Sequence, residues 1–328
     1  MRQPEVSRLL TLVAAALLAV PVARAARDLG LALAFLVEFL SGGRQRPLTA
    51  LTAAPRHEAL PVSGAAVDRW VGAGRVRLVL VHGYAPDGKD EPRVREAAAL
   101  LARAGFDVAV PTIPGLTRGR LRPDDVAPVV ATLAARAAPT VVVAVSVGSG
   151  PALLAAADPA VGERVSVVLS LGGYASAPEL LRFFLTGEYG WGDVRGRVVH
   201  SPEVVRAFVE ANADLLDPAA RDALADPARA AAALATPPPA VAALLARLSP
   251  ERVARDIRAR LVLVHGVDDP AVPYTESLRL AAARPERTRV VLVHLVGHVE
   301  GARPSSWLAA GGEIGALALV VYGLERTD

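Results

Sequence analysis

Uninterrupted apolar runs recur along the chain from about residue 75 onward, and segments with helical spacing separate them. An apolar run of strand length, bounded by turn residues, is typical of a strand that is buried on both faces. The predicted strands are 75–81, 106–111, 140–145, 164–171, 260–264 and 289–293, and the predicted helices are 92–104, 123–137, 148–157 and 307–324. This alternation predicts the α/β class, with a mostly parallel central sheet flanked by helices.

The interval 176–258 departs from this alternation. It is rich in alanine, is punctuated by prolines and shows no strand pattern, so it predicts a helical insertion. The core is then divided into a first part at 47–175 and a second part at 259–328. We interpret the apolar segment 307–324 as a closing helix of the core rather than a membrane span, because Gly311, Gly312 and Glu313 interrupt it.

The first 46 residues have the pattern of a segment that is directed to a membrane. An uncharged apolar run at 9–20 follows two arginines, and small residues flank Arg24 as in a signal-peptidase site. The run fits either a cleaved signal peptide or an uncleaved anchor. A second apolar stretch at 29–40 predicts an amphipathic helix in the membrane interface, with a buried helix as the alternative. We therefore predict that the protein is membrane-associated or exported, with the side of the membrane open.

Composition narrows the function further. The 36 basic and 33 acidic residues give a net charge of +3, and only 4% of residues are aromatic, which argues against nucleic acid as a partner. The absence of cysteine excludes disulfides, thiol catalysis and thiolate metal sites. We expect neither a metal ion nor another cofactor. No oligomeric state is indicated.

A candidate nucleophile stands where the predicted strand 140–145 meets the next helix. The chain reads Ala-Val-Ser-Val-Gly at 144–148, which differs at one residue from the G-x-S-x-G turn. Small residues two places before and after Ser146 allow a sharp strand-to-helix turn that exposes the hydroxyl. The alternative is a serine that only caps the helix.

Groups that could activate this serine follow other predicted strands. Asp268 and Asp269 come after 260–264, and His298 comes after 289–293. A serine nucleophile needs a base and an acid that orients the base, and the carboxyl ends of parallel strands meet at one edge of a sheet. The turn His82-Gly83-Tyr84 follows the first predicted strand, where a loop N–H could bind an oxyanion.

Together these motifs resemble the α/β-hydrolase superfamily. The segments that carry the resemblance are VHGYAPDG at 81–88, AVSVG at 144–148, HGVDDPAVP at 265–273 and VGH at 296–298. The resemblance implies that Ser146 is the nucleophile and His298 the base, and that Asp269 rather than Asp268 is the acid. It also implies that the N–H groups of Tyr84 and Val147 form the oxyanion hole, and that 176–258 is a cap.

The resemblance implies a serine hydrolase that cleaves an ester, thioester or amide through an acyl-enzyme. The membrane-directed segment favours a carboxylesterase or lipase-like activity on a small acyl ester or lipid-like substrate over a peptidase. Two alternatives stay open: a non-catalytic, membrane-anchored binding protein of this fold, and an acyltransferase that uses the same triad. Among the other histidines, His294 is expected to face the core or the sheet, and His57 and His200 have no predicted partner.

Overall fold

The computed structural model describes residues 3–74, 76–201, 203, 206, 210–212, 214, 235–237, 239–298, 307–324 and 326. Of these, residues 3–21 and 307–309 are described by their backbone alone.

The strands form one main sheet and one small hairpin. In chain order they are β1 Arg56–Val62, β2 Ala65–Val71, β3 Val76–Val81, β4 Phe106–Pro111, β5 Thr140–Val145, β6 Val165–Leu171, β7 Glu188–Trp191, β8 Val194–Arg197, β9 Arg260–Gly266 and β10 Thr288–Val293. The main sheet has eight strands in the order β1-β2-β4-β3-β5-β6-β9-β10. The strands from β4 to β10 in this order pair in parallel, whereas β1, β2 and β4 pair antiparallel.

Helices cover both faces of the sheet. They are α1 Gln3–Leu40, α2 Pro47–Leu51, α3 Pro92–Arg103, α4 Val126–Ala134, α5 Ser149–Ala157, α6 Ala177–Thr186, α7 Pro239–Arg247, α8 Thr275–Ala283 and α9 Trp307–Leu324. Alternate residues of β3 face opposite layers, because successive side chains of a strand point to opposite sides. Leu78 packs with α1, α3 and α9, and Val79 packs with α4, α5 and α8. The predicted mostly parallel sheet with flanking helices is confirmed.

The antiparallel hairpin β1–β2 was not among the predicted strands. It forms one edge of the sheet, and β1 alternates between exposed and half-buried residues with no buried position. An edge strand need not be apolar on both faces, and charged residues and a proline at such an edge discourage pairing with other chains. The apolar runs that reveal the inner strands are therefore missing here.

The insertion at 176–258 contains strands, contrary to the expectation of a purely helical segment. After α6 ends at the left-handed Gly187 (φ 74°), β7 and β8 form a hairpin around Gly192 (φ 54°). Each of these strands has only four residues and contains a glycine, so neither produces an apolar run. Much of 202–238 lies outside the described residues, and the prediction of helix there stays a prediction.

The two apolar segments near the N-terminus belong to one helix, α1, which runs for 38 residues. Its C-terminal part is a core element, because Ala32, Phe35 and Leu36 are buried against α3 and α9. The prediction of an interfacial helix at 29–40 is therefore wrong, and the alternative of a buried helix is confirmed: the apolar pattern marks the face that the core covers.

The last helix, α9, closes the same layer as predicted. Leu317, Val321 and Leu324 are buried in the core that α1 and α3 share. Within the described part of the chain, no helix is both long and apolar enough to cross a bilayer.

Candidate active site

Ser146 stands at a strained turn between β5 and α5. Among the residues that the structure describes, it is the non-glycine residue with a positive φ, at 53°. A Cβ at Gly148 would lie 2.2 Å from the carbonyl oxygen of His82, so the turn requires glycine there. Ala144 is fully buried in the sheet, and its methyl group fits the core. The motif therefore tolerates alanine at its first position but not at its last.

The structure brings Ser146, His298 and Asp269 together at the carboxyl edge of the sheet. His298 Nε2 lies 2.7 Å from Ser146 Oγ, and His298 Nδ1 lies 2.8 Å from Asp269 Oδ2. A carboxylate only accepts, so Nδ1 carries the proton and Nε2 is left to accept the serine proton. The glycine at 172 (φ 59°) makes room for this pair, because a Cβ there would lie 3.1 Å from Asp269 Oδ2.

Asp269 is held as a buried carboxylate by three hydrogen-bond donors, which are His298 Nδ1 and two backbone N–H groups. Its Oδ1 accepts the N–H groups of Ala271 and Val272 at 2.8 and 2.9 Å. Burial alone would raise the pKa of Asp269, but hydrogen bonds from two histidines and a backbone N–H outweigh it and hold that pKa below its ordinary value. Asp268 is exposed, so the structure brings Asp269 rather than its neighbour to His298.

A second histidine, His265, lies beside the same carboxylate. It is fully buried, and its Nε2 donates to the Val272 carbonyl oxygen at 2.8 Å and lies 3.5 Å from Asp269 Oδ2. Its Nδ1 is bonded to Ser277 Oγ at 2.7 Å. His265 thus fixes the turn that presents Asp269. From the sequence, His265 was assigned only to a turn motif. Its position four residues before Asp269 is the feature from which this contact could have been predicted.

The loop after β3 passes directly against the nucleophile. A Cβ at Gly83 would lie 3.0 Å from the Val145 carbonyl oxygen and 3.1 Å from Ser146 Cβ, so a side chain there would crowd the nucleophile. Buried His82 fixes this loop: its Nδ1 donates to the Gly83 carbonyl oxygen at 2.7 Å, and its Nε2 accepts the Ile113 N–H at 3.0 Å. Burial lowers the pKa of His82, which favours the neutral ring that this pair of bonds requires.

The two expected oxyanion donors are Val147 and Tyr84. Val147 directly follows Ser146 in a single helical turn at Ser146–Gly148, and the first N–H groups of a helix have no partner within it. Tyr84 directly follows Gly83, the residue whose backbone lies against Ser146, and its side chain is exposed. Val147 is therefore next to the serine in the chain, and Tyr84 is next to the glycine that contacts it.

The remaining histidines are bonded elsewhere. His294 is exposed and its Nδ1 lies 3.0 Å from Glu313 Oε1, so the expectation that it faces the core or the sheet is wrong. His57 pairs with buried Asp68 at 2.7 Å, and His200 is bonded to a backbone carbonyl. Each of these partners is far away in sequence, so spacing could not reveal it.

The insertion is joined to the core by a buried polar junction. Glu276 Oε2 accepts the N–H groups of Ala175 and Ser176 at 2.9 and 2.8 Å, where the chain leaves the core. Tyr174 donates to the carbonyl oxygen of Leu248, where the chain returns. Burial raises the pKa of Glu276 against the opposing effect of these bonds. The base of the insertion is therefore fixed beside the site.

A loop at 115–122 lies between Tyr84 and the insertion. Buried Asp125 fixes it by accepting the N–H groups of Gly115 and Arg122 at 2.7 and 2.9 Å. Arg122 donates both to Asp214 and to Asn212 of the insertion. A Cβ at position 119 would lie 3.8 Å from the ring of Tyr84. The insertion is thereby tied to the loop that borders the site.

Comparison with known proteins agrees with this architecture. The model of the alpha/beta hydrolase family matches residues 78–311, well over half of the chain. Solved structures that resemble it include 2,6-dihydroxy-pseudo-oxynicotine hydrolase (17% identity, TM-score 0.51, covering 88% of this chain and 76% of that one). Another is a puromycin-hydrolyzing peptidase of Mycobacterium tuberculosis (18% identity, TM-score 0.50, 85% of this chain and 41% of that one).

A meta-cleavage product hydrolase from Pseudomonas fluorescens is also similar (16% identity, TM-score 0.47, covering 81% of this chain and 97% of that one). No curated protein sequence matches the chain. At these identities the two structures with TM-scores of 0.50 and 0.51 speak for the fold alone, and the family match covers the residues of the site described above. The chain belongs to the alpha/beta hydrolase family.

Proposed function

We propose that this protein is a serine hydrolase that cleaves an ester, thioester or amide through an acyl-enzyme. One observation carries the proposal: Ser146 Oγ, His298 and Asp269 form an unbroken hydrogen-bonded chain, with links of 2.7 and 2.8 Å, at a strained strand-to-helix turn. A serine that only capped a helix would need neither a histidine on its hydroxyl nor a buried carboxylate behind it.

In the first half of the reaction, Ser146 Oγ attacks the carbonyl carbon of the substrate while its proton passes to His298 Nε2. The N–H groups of Tyr84 and Val147 stabilise the oxyanion, and each such donor contributes about 3 kcal/mol to the transition state. As the tetrahedral intermediate collapses, the leaving group takes the proton from Nε2. Asp269 accepts a hydrogen bond from the Nδ1–H group throughout and stabilises the imidazolium that forms.

In the second half, His298 Nε2 takes a proton from water, whose oxygen attacks the acyl carbon. The second tetrahedral intermediate collapses, Ser146 Oγ leaves and regains its proton from Nε2, and the carboxylic acid is released. An alcohol in place of water would give acyl transfer by the same steps. Within this class we propose a carboxylesterase or lipase-like activity on a small acyl ester or lipid-like substrate.

A fluorophosphonate probe tests the proposal on the full chain, because it modifies a serine that a working base and oxyanion hole activate. We expect labelling of the parent and none of Ser146→Ala. Ser149→Ala is the matched control, since Ser149 directly follows the motif but is buried and bonded to Ser170. If the parent is labelled, a separate unlabelled sample of it is assayed with p-nitrophenyl esters of increasing acyl length, with and without an added alcohol.

A folded parent that the probe does not label would overturn the catalytic proposal in favour of a binding protein of this fold. Labelling that persists in Ser146→Ala would mean that another serine is the nucleophile.

We further propose that residues 1–46 direct the protein to a membrane or to export. The support is the apolar run at 9–20 with its preceding arginines, which lies in the half of α1 that precedes the part buried in the core. We expect the full chain to float with lipid vesicles and Leu12→Arg to float less. Leu51→Arg, at an exposed position of the core, is the control. Equal flotation of all three proteins would contradict the proposal.

A further inference from the structure

His298 is carried by a short loop that leaves the sheet at the end of β10. At the end of β10, the Val267 N–H donates a hydrogen bond to the Val293 carbonyl oxygen at 2.9 Å. Beyond it, residues 294–298 must place the imidazole within hydrogen-bonding distance of both Ser146 and Asp269. A misplacement of about 1 Å can lower a catalytic rate about 100-fold, so whatever fixes this loop bears on the reaction.

The carboxylate of Glu313, on α9, reaches back to this loop. Its Oε2 accepts the N–H groups of His294 and Leu295, each at 2.8 Å, and its Oε1 lies 3.0 Å from His294 Nδ1. Hydrogen bonds to an ionised acceptor are among the stronger ones in proteins. Partial burial would raise the pKa of Glu313, but the bonds from His294 and Leu295 hold it below its ordinary value, so the carboxylate is ionised at neutral pH.

The opposite side of the loop rests on the sheet. Leu295 and Val296 are 5% and 3% exposed. A Cβ at Gly266 would lie 2.1 and 2.2 Å from the carbonyl oxygens of Val296 and Gly297, so the loop backbone lies directly on the end of β9. The loop is therefore held between this strand end and the carboxylate of Glu313, three residues before His298.

The helix that supplies the carboxylate is itself fixed. Leu317 and Val321 of α9 are buried in the core between the sheet and the helix layer that contains α1. Groups on rigid elements hold a site more accurately than groups on loops. The family match ends at residue 311, so this contact comes from a part of the chain beyond it.

From this geometry we propose that Glu313 is a positioning residue for His298, acting through the backbone of His294 and Leu295. The proposal rests on the serine hydrolase function proposed above. The proposal depends on the two hydrogen bonds that the backbone N–H groups donate to Glu313. The contact with the His294 imidazole adds little, because that side chain is 67% exposed and an exposed ion pair contributes little to stability.

The test compares three variants of the full chain by kcat and KM on p-nitrophenyl butyrate and by the rate of fluorophosphonate labelling. Glu313→Ala should lower kcat and the labelling rate about 10- to 100-fold with KM unchanged, because the loop loses its acceptor while the surroundings of the acyl group stay in place. Glu313→Gln should restore activity to within about threefold, since its amide oxygen can accept both N–H groups. His294→Ala should behave as the parent, because both backbone bonds remain.

A parent that the probe does not label would overturn the proposed function, and this inference with it. An active parent with an equally active, folded Glu313→Ala would overturn the inference alone, and so would a Glu313→Gln as impaired as the alanine variant. If the alanine variant does not fold, Glu313→Asp replaces it: the shorter carboxylate should lower kcat without changing KM, and unchanged kcat would refute the positioning role.

Discussion

Replacing Asp269 by asparagine should abolish most of the activity through the tautomer of His298. The two backbone N–H groups of Ala271 and Val272 converge on Oδ1 and require an acceptor there. The oxygen of the asparagine must therefore occupy the Oδ1 position, which places the NH₂ group where Oδ2 lies, 2.8 Å from His298 Nδ1. That NH₂ donates, so Nδ1 must accept and the ring proton moves to Nε2. Nε2 can then no longer take the proton of Ser146.

The expected loss of activity follows from this replacement of an accepting oxygen by a donating NH₂ group. In a serine protease with these three groups, the corresponding substitution lowers kcat about 10⁴-fold because it selects the wrong tautomer. A factor of that size corresponds to about 5.4 kcal/mol of transition-state free energy. The fold should survive, because the asparagine has nearly the volume of the aspartate and keeps the oxygen that both backbone groups need.

The assay is the rate of fluorophosphonate labelling at pH 7, together with kcat on an ester that the parent cleaves. Asp268→Asn is the matched control, because it makes the same chemical change one residue earlier at an exposed position, and it should retain full activity. If Asp269→Asn keeps more than about a tenth of the parental rate, the argument from the tautomer is refuted. If Asp268→Asn is the inactive variant instead, the acid is wrongly assigned.

Three further predictions concern stability. In urea unfolding, Ser146→Gly should be about 0.5–1 kcal/mol more stable than Ser146→Ala. Glycine removes the strain of the positive φ, although the more flexible unfolded chain offsets part of the gain. Equal stability of the two variants would argue against strain. Gly266→Ala should lose about 1–3 kcal/mol because its Cβ would lie 2.1 Å from the Val296 carbonyl oxygen, whereas Gly297→Ala, which has open space, should not. Burial lowers the pKa of His82 in the folded protein, so the unfolded chain binds a proton at a higher pH than the folded one does. The free energy of unfolding should therefore fall as the pH drops below about 6.5. Urea titrations at several pH values should show a weaker pH dependence for His82→Asn.

The inner strands can be predicted from the sequence because burial on both faces leaves few polar residues in a strand. The runs predicted at 106–111 and 140–145 coincide with β4 and β5. The edge hairpin β1–β2 and the short hairpin β7–β8 escape this signal, since one is partly solvated and the other is only four residues per strand. The apolar face of α1 was visible too, but the pattern alone could not tell whether a core or a membrane covers it.

The candidate site divides in the same way. Ser146, Asp269 and His298 could be predicted because each lies in a local motif that follows a strand, and the sheet then brings the strand ends together. Glu313 could not be predicted, because its contact with the loop before His298 depends on how α9 packs across the core, for which no local pattern exists.

The helix α1 has a mechanical consequence for anything that its N-terminal half binds. It runs without a break from Gln3 to Leu40, and its second half is locked into the core by Ala32 and Phe35. At about 1.5 Å per residue, the apolar run at 9–20 begins on the order of 35 Å along the axis from Ala32. A flexible linker would let the folded domain rotate freely relative to whatever the N-terminal half binds, whereas a continuous helix holds the two at a fixed distance and angle. The helix would then set the distance and the orientation of the sheet edge that carries Ser146 relative to that binding partner, and so where a substrate can be reached.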